Sequence, residues 1–370
     1  MQAIPTSGLR TELRDGVSDH LQPTIPLDLT NVHSVQELVQ AMQQTGFGGR
    51  SLGEAADVLF DMITDPDCFV VGTFSGAMTV AKMGLVLCDM IDQGMINAVV
   101  STGALMAHGF VEAAGMRHFK YNPDMDDQTL YNQGYNRVYD TLELEKNLDD
   151  VADIFEHIFA DMPSDKTLSS HQINRLLGAH LAQHVPGRGI LKSAFERDVP
   201  VYVPAFTDSE IGLDFALCNR KRSRLGHTRL AYDPFLDLEH YTNRIQGQKK
   251  LGIFTIGGGV PRNWAQQVAP YLELIAKRTG QDTEVKRFIY GVRICPEPVH
   301  WGGLSGCTYS EGISWGKFVP PSAGGRFAEV FCDATIAWPI LVKAVQERLI
   351  KASALASEPP QPAPRSSAES

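Results

Sequence analysis

Apolar and polar positions along this chain follow two rhythms that take turns. Short continuous apolar runs at 68–73, 97–102, 199–205, 251–256, 288–294 and 327–332 have the length of strands buried on both faces. Between them lie stretches in which apolar residues return every three to four positions, the spacing of one helix face. Such stretches cover 34–45, where Val35, Leu38 and Met42 form a stripe, and 52–63. Others run from 75–79 to about 93, from 103 to 114, and over 144–161, 168–184, 262–277 and 335–351. Strand, small-residue turn and helix recur in that order, which predicts an α/β fold: a doubly wound, mostly parallel sheet with helices on both faces, Rossmann-like. Two segments stand outside the rhythm. Residues 117–143, rich in Tyr, Asn, Asp and Gln, read as an ordered excursion over the surface. Residues 219–248, polar with many Arg and Lys among aromatics, read as a flap or a subunit contact.

The ends lack periodicity. Residues 1–24 read as an arm, and 353–370, rich in Pro, Ser and Ala, as a disordered tail. Nothing marks a linker between them, so 25–352 reads as one domain. A chain of 370 residues with formal charge −10 and no long basic block makes nucleic acid an unlikely partner on electrostatic grounds. No apolar run has the length of a membrane span, and the start has no signal-peptide pattern. The six cysteines are scattered without a C-x-x-C pair and read as free thiols of a reducing compartment. Together these features predict a soluble, cytoplasmic protein with no membrane partner.

Candidate chemistry gathers at two places. Several strand-like runs end in small or acidic residues: Gly76, Thr102 with Gly103, Asp208, the triplet 257–259, and Asp333. In an open parallel sheet these ends share one edge, where glycine lets backbone N–H groups approach a pyrophosphate and a carboxylate accepts a ribose hydroxyl. The second place is the stretch 311–317, Glu-Gly-Ile-Ser-Trp-Gly-Lys, after a glycine-rich loop. Burial against an indole disfavours an ammonium, so Lys317 beside Trp315 reads as an amine nucleophile. On these residues alone the solvated lysine at a helix end is the more ordinary reading. Thr308 and Glu311 have capping-box spacing. On the helix they open, Glu311 and Trp315 share a face that Lys317 reaches only by leaving the helix at Gly316. His180 and His184 have i, i+4 ligand spacing but no third ligand nearby in sequence, so no metal site is assigned.

Taken together, Ser314-Trp-Gly-Lys317 preceded by Glu311, Thr207-Asp208, Gly257-Gly-Gly-Val260 and Asp333-Ala334 resemble the deoxyhypusine synthase family, in order, over about 25–350. The resemblance is closer to its prokaryotic deoxyhypusine synthase-like branch. It implies an NAD-dependent transferase of the doubly wound fold, a homotetramer with active sites at subunit interfaces. Such an enzyme moves an aminobutyl group from spermidine or a related polyamine, through an imine on a lysine, to an amine acceptor. By position, Lys317 becomes the imine-forming residue. Glu311, Trp315, Asn263 and Asp214 become substrate-binding, and Gly76, Thr102, Gly103, Asp208, Gly258, Asp333 and Ala334 contact NAD. The chain also departs from the eukaryotic pattern. Ala107-His108 stands where that pattern has two glutamates, 301–305 where it has aspartates, and Asn263 where it has histidine. The acceptor is therefore open between a protein lysine and a small amine. A homospermidine synthase-type enzyme acting on diamines and a non-catalytic NAD-binding homologue are the alternatives.

Overall fold

In a computed structural model, residues 13–160, 162–163 and 165–357 are described. In chain order the elements are α1 (Val35–Gln43), α2 (Phe47–Thr64), β1 (Cys68–Phe74), α3 (Gly84–Asp92), β2 (Ala98–Ser101) and α4 (Gly103–Ala113). Then come β3 (Phe119–Lys120), α5 (Asp127–Asn132), β4 (Tyr135–Val138), β5 (Thr141–Leu144), α6 (Glu145–Phe159), β6 (Thr167–Leu168), α7 (Ser170–His184), α8 (Ile190–Glu196) and β7 (Val201–Tyr202). They are followed by α9 (Glu210–Arg224), β8 (Ala231–Tyr232), α10 (Phe235–Gln246), β9 (Lys250–Ile256), α11 (Gly259–Gln266) and α12 (Val268–Thr279). The last are β10 (Phe288–Ile294), α13 (Tyr309–Ser314), β11 (Arg326–Val330) and α14 (Ala334–Ser357).

The six apolar runs pair into one sheet of order β11-β10-β9-β1-β2-β7, parallel throughout. Counted along the chain within this sheet, that is the 3-2-1-4-5-6 order of doubly wound folds. Consecutive strand residues face opposite sides, so the runs feed two cores. Val70, Val99, Phe254 and Val292 pack into the larger core with α2, α3, α4 and α14. Val71, Val100, Ile253 and Phe288 pack into the smaller one with Tyr241 of α10, Ala265 of α11, Leu272 of α12 and Tyr309 of α13. The doubly wound, Rossmann-like expectation therefore holds.

The structure corrects several details. Residues 219–248 are not a flap: they finish α9 and form α10. Asn219 clamps the intervening loop through both sides of its amide, donating to Leu230 O at 3.1 Å and accepting from Leu230 N at 2.7 Å. Tyr241 and Ile245 of α10 are fully buried. The helix expected at 262–277 is two, α11 and α12, meeting at Gln267. Helix α8 was not legible, because seven residues are too few to show a period. The excursion at 117–143 is ordered, an antiparallel sheet of order β3-β5-β4 carrying α5. Helix α14 continues to Ser357, past the boundary drawn at 352, and residues 1–12 and 358–370 lie outside the described residues.

Candidate active site

Local chemistry places Lys317. Thr308 caps α13, its hydroxyl accepting from Glu311 N at 3.1 Å. Tyr309, buried, stacks on Phe327 at 4.9 Å between ring centroids. Gly291 leaves room for that ring, since a Cβ there would stand 2.7 Å from it. Glu329 accepts from Tyr309 N at 2.7 Å. The helix ends at a left-handed Gly316 (φ 69°), and Lys317 N returns to Gly312 O at 3.1 Å. From there the chain runs beside the start of β10, where Lys317 O accepts from Phe288 N at 3.1 Å and Val319 N donates to Phe288 O at 2.9 Å. The backbone on both sides of the lysine is thus fixed, which leaves only its side chain to choose a direction.

That side chain turns inward. Lys317 is 7% exposed, and Nζ donates to Asn263 Oδ1 in α11 at 2.9 Å. The Trp315 ring centroid lies 5.9 Å from Nζ. Burial pulls the Lys317 pKa below its ordinary value, and the buried Arg262 guanidinium adds to the effect, while Cys307 and Glu311 oppose it. The hydrogen-bond partner is a neutral amide, and among the described residues no carboxylate pairs with this amine. The resulting group is an amine whose charged form is disfavoured. Trp315 is 67% exposed and Glu311 is exposed, so the amine is buried while its mouth opens on the surface.

The strand-end residues form the second part. All six strands run the same way, so their carboxyl ends share one edge, and β1 and β9 flank the switch point. Thr102 Oγ1 donates to Gly76 O at 2.7 Å, joining the loops after β1 and β2. Gly258 N donates to Ser75 Oγ at 2.9 Å, joining those after β1 and β9. Gly103 packs so closely on Ser209 that a Cβ would stand 2.2 Å from the serine Cβ, which sets Asp208 beside the start of α4. Gly258 lies against Ser305 in the same way, a Cβ there standing 2.6 Å from Ser305 Cα. Asp333 caps α14, with Thr335 N and Thr335 Oγ1 both donating to Oδ1 at 2.6 Å, which leaves Oδ2 unused by these bonds. Ala334 is the first residue of that helix.

Gly76, Thr102, Gly103, Asp208 and Gly258 thus meet through these contacts, with Asp333 and Ala334 following the last strand of the same edge. Lys317 approaches from elsewhere: its backbone is pinned to the first residue of β10, at the opposite end of that strand. Its side chain reaches Asn263 of α11, the helix that leaves the rim after β9. Asp214 is not brought to the lysine. It lies on α9, lining a cavity of about 730 Å³ with Phe155, Glu156 and Lys221, where none of Lys317's contacts occurs. Burial, seconded by Glu210, raises its pKa to about 6. The His180 and His184 rings lie 4.5 Å apart on α7.

Sequence reasoning missed the residues that hold the loop before α13. Arg262, buried, donates to Cys307 O at 2.7 Å, and its guanidinium lies 5.5 Å from the Tyr309 ring centroid. Arg293, also buried, donates to Ser305 O and pairs with Glu329 at 2.7 Å. Arg293 sits inside a strand run and Arg262 in a helix start, and nothing in their spacing sets them apart from surface arginines.

The deoxyhypusine synthase family model matches residues 37–345. "Probable deoxyhypusine synthase 2" of Methanosarcina acetivorans is 36% identical over 327 residues, 88% of this chain and 90% of its own. "Probable deoxyhypusine synthase 2" of Archaeoglobus fulgidus is 34% identical over 301 residues, covering 81% and 94%. A "Deoxyhypusine synthase-like protein" of Chlorobaculum parvum is 31% identical over 311 residues, covering 84% and 85%. A solved structure bearing the same family name, from Entamoeba histolytica, superposes with a TM-score of 0.55 at 13% identity over 86% of this chain and 95% of that one, a likeness of fold.

Proposed function

The chain belongs to the deoxyhypusine synthase family, a family of transferases, and on that premise we propose that it is an NAD-dependent aminobutyl transferase working through an imine on Lys317. The observation that carries this reading is the buried Lys317 amine, its pKa lowered and its hydrogen bond made to a neutral amide. An imine forms only from the uncharged amine, so the burial that disfavours the ammonium also prepares the nucleophile.

The strand-end residues fit a dinucleotide. The starts of α4, α11 and α14 follow β2, β9 and β11 at that edge, so their free N–H groups suit a pyrophosphate. Asp333 Oδ2 suits a ribose hydroxyl. Gly76, Thr102, Gly103, Asp208, Gly258, Asp333 and Ala334 would hold NAD. When bound, the nicotinamide would accept a hydride from the donor amine and return it after transfer, leaving no net oxidation. Lys317 Nζ adds to the carbon of the oxidised donor's C=N bond, and the donor's remaining amine departs with a proton. The acceptor amine then displaces Lys317 in the same way. Asn263 aims Nζ, Trp315 supplies a π-face for a cationic chain, and Glu311 supplies charge at the mouth.

The donor is spermidine or a related polyamine, and the acceptor a protein lysine or a small amine. Position 108 favours a small-amine acceptor, as in homospermidine synthesis: His108 bonds Glu143 at 3.1 Å, and no free carboxylate stands there. The exposed Trp315 and Glu311 favour a mouth completed by a neighbouring subunit, in keeping with a homotetramer. Among the described residues no helix is long and apolar enough to cross a membrane, and a cytoplasmic enzyme is the reading adopted.

Incubation with NAD and a panel of polyamines, followed by borohydride reduction and peptide mass spectrometry, tests the proposal. An aminobutyl adduct on Lys317 is expected, and Lys317→Arg should lose it with all transfer, because a guanidinium stays charged. Transfer that survives in Lys317→Arg overturns the covalent route. Net NADH release without an adduct identifies a simple dehydrogenase, and NAD binding without either identifies a non-catalytic homologue.

A further inference from the structure

Two histidines and a glutamate far apart in sequence meet at the foot of the 117–143 excursion. His108 comes from α4, His118 stands just before β3, and Glu143 lies in β5. One ligand atom from each lies within 4.8 Å of the others. The Glu143 side chain is 1% exposed, that of His118 0%, and that of His108 10%, so the group is closed except past the His108 ring.

Both oxygens of the Glu143 carboxylate are engaged. Oε1 accepts from Asn147 Nδ2 at 2.7 Å and from Leu144 N at 3.0 Å. Oε2 faces the imidazoles, with His108 Nδ1 at 3.1 Å and His118 Nε2 at 2.6 Å. Oε2 is thus shared between the two rings. Two imidazoles and one carboxylate are a zinc-type donor set, and three protein ligands leave a fourth position for water. The bonds to Oε1 supply the outer support that ligating carboxylates require.

One neighbour competes. Lys82 Nζ lies 2.8 Å from His118 Nδ1. An ammonium can only donate there, which puts the ring proton on Nε2, whereas ligation through Nε2 needs the proton on Nδ1. Lys82 has a second partner in Glu112, at 3.3 Å. If it swings fully to Glu112, the Nδ1 proton is accommodated.

We propose that His108, His118 and Glu143 form a binding site for a divalent transition-metal ion of the zinc type, which fastens both ends of the 117–143 excursion to α4. The group was invisible in sequence because Glu143 lies at the far end of the excursion, 35 residues after His108. The i, i+4 pair His180 and His184 drew attention instead.

The test uses the untagged full-length chain, stripped with chelator and titrated with Co²⁺ and then Zn²⁺. One ion per chain is expected, with d–d absorption for Co²⁺ that Zn²⁺ abolishes and a rise in Tm on Zn²⁺ addition. His118→Gln should lose all three. Lys82→Gln, which removes the competing cation and offers an oxygen to Nδ1, should bind roughly tenfold more tightly. No stoichiometric uptake by the wild-type chain would leave a hydrogen-bonded network and overturn the proposal. Uptake that His118→Gln does not reduce would show an adventitious ion and overturn it equally. If His118→Gln fails to fold, the wild-type titration and the direction of the Lys82→Gln change decide.

Discussion

A single amide holds the amine proposed as the nucleophile. Asn263 Oδ1 holds Lys317 Nζ without adding charge, so burial decides the lysine pKa and lowers it. On the proposed mechanism, imine formation should rise with pH and level off above that lowered pKa, which lies under the ordinary 10.5. Asn263→Asp would place a carboxylate beside the ammonium and favour the charged form. Its acid limb should move to higher pH, with about a tenfold loss at neutral pH for each unit moved. Single-turnover borohydride trapping across pH measures this, and an unmoved limb would mean that another group titrates. Asp214 makes the opposite case. Its folded pKa of about 6 exceeds the ordinary 3.8, so the folded chain binds the extra proton between those values. Stability therefore falls as pH rises through that window. Asp214→Asn should raise stability at neutral pH by roughly 1 kcal/mol after solvent screening, seen as a higher Tm, and abolish the fall. Aminobutyl transfer should be unchanged, because Asp214 lies apart from the lysine.

Among elements, the short helix α13 and the turn before α11 do most to shape the site. α13 has only six residues and no propensity to stand alone. It persists because Tyr309 is buried against Phe327 and Phe318 and because Thr308 caps it. The turn before α11 meets the loop after β10 at Gly258, where Ser305 occupies the space a side chain would need. Gly258→Ala must push that loop aside and disturb the edge assigned to NAD. Weakening of NAD binding by at least about tenfold is expected, read by calorimetry. Gly226→Ala, at a positive φ (77°) and in open space, serves as a control whose NAD affinity should not change.

For the whole molecule, the notable feature is that the backbone of the proposed nucleophile and the strand-end residues lie at different ends of β10. A buried amine with an exposed indole at its mouth suits a site completed by a second copy. If sites lie between subunits, mixing Lys317→Arg chains with Gly258→Ala chains should restore activity toward one quarter of wild type. That figure follows from random pairing of two damaged halves at an interface between two copies. No recovery in reassembled mixtures would place each complete site within one chain.

The repeating apolar runs determined the parallel sheet by themselves, because strands buried on both faces have no solvent side to interrupt them. Likewise, the glycines and aspartates at run ends were legible as one edge, since parallel strands must end together. Local capping chemistry fixed α13, and the sequence around Lys317 showed that the chain must turn at Gly316. Tertiary structure alone decided where the lysine points, because the Nζ partner, Asn263, is 54 residues away in sequence. Only the fold could separate Asp214 from the lysine, fold 219–248 into helices, and gather His108, His118 and Glu143. Such groupings depend on packing between distant segments, and a periodic pattern records which way a residue faces but not what it meets there.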